Sequence, residues 1–117
     1  MNESAVKTEV IEILEGFKYP AFLQGSLAEA DYPDHFFTFW NNSSLDNLHY
    51  DNLPVQYVWR FDINFYSIDP MLVNTLIPEV ISEFRKRGWI VNGWGFDVPS
   101  DEETHTGRGF NALKLEF

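Results

Sequence analysis

The residues best suited to chemistry lie near the C-terminal end: Asp97, Asp101, Glu102, Glu103 and His105, with Arg108 close behind. Clustered oxygen donors are what Mg²⁺ and Ca²⁺ require, and acids beside a cation would also suit a metal-dependent nuclease. The spacing does not match the calcium loop of an EF-hand, because no Asp-x-Asp-x-Asp-Gly pattern occurs. A solvated acidic loop is the simpler reading. His35, His49 and His105 are scattered and show no His-x-x-x-His ligand spacing. No Gly-x-Ser-x-Gly elbow or phosphate-cradling glycine loop is present, and Gly88, Gly93 and Gly95 read as turn residues. Arg60 and Asp62 stand two apart on one strand, where a cross-strand ion pair is the ordinary expectation. With no cysteine, disulfides and thiolate zinc sites are excluded.

Aromatic residues form the second chemical feature. Eleven Phe, five Tyr and four Trp make up 17% of 117 residues, more than a small domain can easily bury. Trp89, Trp94 and Phe96, together with Phe36 to Trp40, have the side chains to stack nucleobases on a sheet. Charge opposes that use. Eighteen acids against eight Lys and Arg give a net charge of −10, whereas nucleic-acid binding needs clustered cations. The one basic run, Arg85-Lys86-Arg87, falls at a predicted helix end, where it complements the helix dipole. The aromatics are therefore expected in the core and at subunit interfaces, where exposed aromatics concentrate.

The elements that position these residues follow from periodicity. Val6, Val10, Ile13 and Leu14, with Phe17 just beyond, form a helical stripe over 4–15, with Ser4 as N-cap and Gly16 as stop. A short extended segment covers 21–24, and residues 26–34 read as a loop. Residues 35–41 are aromatic and read as a strand. Residues 42–54 are dense in turn chemistry and read as a long hairpin connection. From Val55 to Ser67, Tyr57, Trp59, Phe61, Ile63 and Phe65 alternate with a more polar set, which predicts a half-buried strand. Asp69-Pro70 starts a helix that carries an apolar stripe to Phe84 and ends at Gly88. Pro78 inside it predicts a kink. Residues 89–91 read as a short strand, Asn92-Gly93 as a turn, 96–106 as a loop and 107–117 as a final strand. The expected fold is α+β: one mostly antiparallel or mixed sheet packed by two helices, in the order α-β-β-β-α-β-β.

Length and composition fit one domain over 1–117, with 44% hydrophobic and 22% charged residues excluding wholesale disorder. The acidic N-terminus is wrong for a signal peptide, and the apolar runs are too short to span a membrane. The chain reads as soluble and unsecreted.

Four segments carry a family resemblance: Tyr19 to Leu27 (YPAFLQGSL), Tyr32 to Asn41 (YPDHFFTFWN), Phe65 to Pro70 (FYSIDP) and Asp101 to Gly109 (DEETHTGRG). They resemble small tail proteins of phages and prophages of Gram-positive bacteria, and the element order is similar to that of tail-terminator, or tail-completion, proteins. The resemblance implies a virion protein, assembled in the host cytoplasm, that caps the tail tube as a homo-oligomeric, six-membered ring and meets the head–tail connector. It implies no cofactor and no catalytic residue. On that footing loops 26–34 and 42–54 are expected toward the lumen and the acidic loop 97–105 toward a neighbouring ring, with Arg108 pairing to an adjacent subunit. Acids on the lumen would let DNA pass without binding. The competing classes are a connector or stopper of the neck, a metal-dependent nuclease using Asp97, Asp101 and Glu103, and a small regulator of one host protein.

Overall fold

The structure, a computed structural model, describes residues 3–23, 33–46, 49–50, 53–54, 57–100 and 103–116. Its elements are α1 (Glu3–Glu15), β1 (Ala21–Leu23), β2 (His35–Asp46), β3 (His49–Tyr50), β4 (Leu53–Pro54), β5 (Tyr57–Ser67), α2 (Pro70–Lys86), β6 (Phe96–Val98) and β7 (Thr106–Glu116). Five strands form one sheet in the order β1-β2-β5-β7-β6, and β3 pairs with β4 in a separate ribbon. Only β1 runs parallel to its neighbour, with Ala21 opposite Phe37; the remaining sheet pairs are antiparallel. The fold is α+β, and the main sheet with its helices follows the expected order.

The alternation of β5 decides which face is covered. Trp59, Phe61, Ile63 and Phe65 are buried toward the helices. They meet Phe37 and Phe39 of β2 and Phe110 and Ala112 of β7. Val6, Val10, Ile13 and Leu14 of α1 and Val73, Ile77, Val80, Ile81 and Phe84 of α2 close the core from above. Both helical stripes face it, as their spacings of three and four require. The opposite sheet face carries Arg60, Asp62, Asn64 and Asn111, with a small cluster of Val58 and Leu113 beside them and, toward the other end, Phe36 stacked on Tyr66.

The start of α2 is built as its sequence predicts. Asp69 is the N-cap, its carboxylate accepting from the Met71 N–H at 3.0 Å, and Pro70 occupies the first turn. Its end closes as a Schellman motif. Gly88 adopts φ 91°, its N–H donates to Arg85 O at 3.1 Å, and the Trp89 N–H donates to Phe84 O at 3.0 Å. The rings of Phe84 and Trp89 pack across that turn, 5.4 Å between centroids.

Several boundaries differ from expectation. β2 runs on to Asp46 opposite Tyr57, so the strands of the hairpin enter the region read as a connection. A bulge at Asn42 lets it do so, shifting the register between Asn41 and Ser43. Residues 89–91 contribute a single bridge, Ile90 to Leu113, in place of a strand. The strand on that edge of β7 is β6, inside the stretch read as a loop. α1 begins at Glu3, placing Ser4 inside its first turn, and the left-handed residue after it is Lys18 (φ 72°) rather than Gly16. α2 is helical on both sides of Pro78. The expectations at Gln24, residues 26–32, Val55, Asp101, Glu102 and Phe117 lie outside the described residues.

Candidate functional site

The Schellman turn aims the chain away from α2 and into the segment 89–98, where two arginines take hold of it. Arg85 donates to Val91 O from Nε at 3.2 Å and from Nη2 at 2.8 Å, and to Gly93 O at 2.7 Å. Its guanidinium lies 4.3 Å from the centroid of the Trp94 ring. Arg108, reaching from β7, donates to Trp94 O at 3.3 Å and Gly95 O at 3.1 Å, and pairs with Asp97 at 3.0 Å. Hydrogen bonds from charged donors are about twice as strong as neutral ones. Four carbonyls of one short segment are thereby held by two cations. Gly93 and Gly95 supply positive φ angles of 74° and 99°. A side chain at Gly95 would also press within 3.0 Å of Gly109 O and of the Ile77 side chain, so the close approach to β7 and α2 needs glycine.

This clamp presents aromatic surface to solvent. Trp94 is 53% exposed and Phe96 47%. An indole resting on a guanidinium gains about 0.5–1 kcal/mol at an exposed site, which favours one orientation of the ring. Large aromatics held rigidly lose little entropy when a partner covers them, which is why Trp and Tyr dominate binding hot spots.

The aromatics grouped in the sequence are thus divided. Trp89 is 3% exposed and belongs to the core. Its indole N–H donates to Glu9 Oε1 at 2.8 Å, and Lys114 Nζ meets the same oxygen at 2.9 Å. Phe36, Phe37 and Phe39 are buried, while Trp40 is half-buried. No continuous stacking platform joins Phe36–Trp40 to Trp94 and Phe96. The arginines that organise the corner have a legible sequence position but not a legible role. Arg85 satisfies loop carbonyls in addition to lying in the last turn of α2. Arg108 holds Asp97 within its own chain.

The remaining chemical candidates are apart. His35 shares a 2.6 Å hydrogen bond with Ser67 Oγ, which also accepts from the Asp69 N–H, so it braces the start of α2. His105 Nε2 bonds Pro33 O at 2.8 Å, with its ring edge-on to Phe36. His49 lies in the β3–β4 ribbon. Among the described residues, no three His, Asp or Glu side chains come together to hold a metal ion. Asp101 and Glu102 lie outside that description.

On the helix-free face, Asn42, Arg60, Asn92 and Asn111 line an open groove of about 270 Å³, walled by Ile90, Phe96 and Leu113. Asn42, re-aimed by its bulge, donates to Asp62 Oδ1 at 3.4 Å. Burial raises the Asp62 carboxyl above its ordinary range, against the opposing pull of that hydrogen bond and the Arg60 charge. Asn64 owes its position to Gly109: a Cβ there would collide with the Asn64 side chain, and one at Gly107 would strike the Tyr66 ring at 2.7 Å. The Gly-Arg-Gly run therefore faces two ways, its glycines making room on the open face and its arginine clamping the 94–97 segment.

Among the described residues no helix is long and apolar enough to cross a membrane. Compared with known proteins, the chain matches no family model and no curated protein.

Proposed function

We propose that this chain is a structural phage protein: a tail terminator that assembles with copies of itself into a ring, caps the tail tube, ends its polymerisation and joins the tail to the head–tail connector. The observation that carries the assembly reading is the Trp94–Phe96 corner, exposed aromatic surface fixed in place by Arg85 and Arg108. The four quoted segments supply the phage-tail identity, and the ring size of six comes from the same resemblance. The protein would act in the virion after assembling in the host cytoplasm. A net charge of −10 suits a lumen through which DNA passes without binding, since like charge repels phosphate.

The reading is tested by adding the protein to its polymerising tail-tube protein and following tube growth by sedimentation. Growth arrested at a small molar ratio of terminator to tube subunit supports it, because only tube ends are occupied. Unimpeded growth contradicts it, and co-purification with the portal side would then point to a connector.

A further inference from the structure

We infer that Asn92 is a site of spontaneous self-modification: it deamidates through a ring formed with Gly93, and its isoaspartate product frees Trp94 from the Arg85 clamp.

The site begins in the sequence. Among the asparagines of the chain, only Asn92 precedes a glycine. The peptide nitrogen that follows an asparagine can attack that residue's own carboxamide, and a Cβ on the following residue hinders the approach. Glycine has none. At Gly93 the place where a Cβ would stand has no atom within 4 Å. Both residues are exposed and lie outside any helix or strand, and Asn92 borders the open groove, so water reaches it.

The clamp leaves this one peptide loose. Arg85 holds Val91 O and Gly93 O, Arg108 holds Trp94 O and Gly95 O, and Asn92 O is passed over. Among the described residues the Gly93 N–H, the Asn92 carbonyl and the Asn92 carboxamide meet no hydrogen-bond partner. Nucleophile and target are therefore free of competing bonds, and the peptide plane between them can turn without breaking one. The Arg85 guanidinium, 2.7 Å from the Gly93 carbonyl oxygen, also favours loss of the proton on that residue's nitrogen.

The reaction needs only water and hydroxide. Hydroxide takes the Gly93 amide proton, the nitrogen bonds to Asn92 Cγ, and the carboxamide C–N bond breaks to release ammonia. Water then opens the cyclic imide. Breaking the new bond to Cγ gives aspartate, whereas breaking the original peptide bond gives isoaspartate, with the main chain running through Cβ. One nitrogen of Arg85, Nη2, spans Val91 O at 2.8 Å and Gly93 O at 2.7 Å. Isoaspartate adds one carbon, about 1.5 Å, to the path between those two carbonyls. It also places a carboxylate beside them that competes for the guanidinium. The two carbonyls then no longer fit one nitrogen, and the Trp94 ring loses the support beneath it.

The test ages the full-length protein at mildly alkaline pH in water enriched in heavy oxygen. Trypsin then releases the peptide from Gly88 to Arg108, in which Asn92 is the only carboxamide residue. That peptide should exchange its amide for an acid carrying one heavy oxygen, at a rate within a few-fold of the chain unfolded in urea. It should separate into isoaspartate and aspartate forms, and Asn92→Gln should abolish the change. A folded chain that reacts many times more slowly than the unfolded one overturns the site, because the peptide would then be held. For the clamp, hydrogen exchange over residues 93–98 should quicken several-fold in the aged isoaspartate form. Fresh Asn92→Asp, which has the charge without the added carbon, should keep the original rate. Unchanged exchange in the aged form, or an equal rise in Asn92→Asp, overturns the release of Trp94.

Discussion

At the scale of single residues, two groups show how position decides what a charge does. Glu9 is mostly buried and serves Trp89 and Lys114 through one oxygen, tying α1 to β7 across the core edge. Removing it leaves an indole N–H and an ammonium without their acceptor. Glu9→Ala should therefore lose about 1–3 kcal/mol of stability in urea denaturation. Glu12→Ala, on the exposed side of the same helix, should stay within about 0.5 kcal/mol of the unaltered chain. Equal effects at the two positions would deny the buried link. Asp62 is the converse case. Its carboxyl is raised chiefly by burial, so the folded chain binds this proton more tightly than the unfolded chain. Stability must then fall as pH rises from the ordinary carboxylate range, near about 4, through the raised value. Asp62→Asn should flatten that part of the stability profile and be no less stable than the parent at neutral pH. A profile whose slope survives the substitution would assign it to other carboxyls.

At the scale of elements, the clearest test is the start of α2. Asp69 caps it and is itself held by Ser67, so Asp69→Ala should cost about 1 kcal/mol, read from the shift in denaturation midpoint at constant slope. No shift would mean that tertiary packing alone fixes this terminus. The same element shows what was legible in the sequence. Asp69-Pro70 at one end and Gly88 at the other are local signals, and local signals set both of its boundaries. β5 was legible because five apolar residues at period two, Tyr57 to Phe65, leave no helical alternative. β2 beyond Asn41 was not. Asn41-Asn42-Ser43-Ser44 has the composition of a turn, and only pairing with Tyr57 to Arg60 extends it. Strand preference depends on such partners more than helix preference does. β6 escaped for the same reason: three residues beside a proline become a strand because β7 offers an edge and Arg108 pulls Asp97 toward it. The clamp itself was illegible, since nothing in Arg85-Lys86-Arg87 says which arginine will find loop carbonyls. The surplus of aromatics, by contrast, did point toward exposed aromatic surface, and Trp94 and Phe96 provide it.

At the scale of the whole molecule, length and charge shape the proposed role. Strands of eleven residues at about 3.4 Å each account for most of the 45 Å long axis of a body 26 by 23 Å across. One sheet face is sealed by helices, and the other, free of helices, mixes polar residues such as Arg60, Asp62 and Asn111 with apolar clusters around Val58 with Leu113 and Phe36 with Tyr66. The measurement that tests this account most directly is electron microscopy of tail tubes grown with and without the protein. The account predicts a ring at the tube end and a halt in growth, both lost with Trp94→Ala. Bare ends on tubes that keep growing in the presence of the folded, unaltered chain would contradict it.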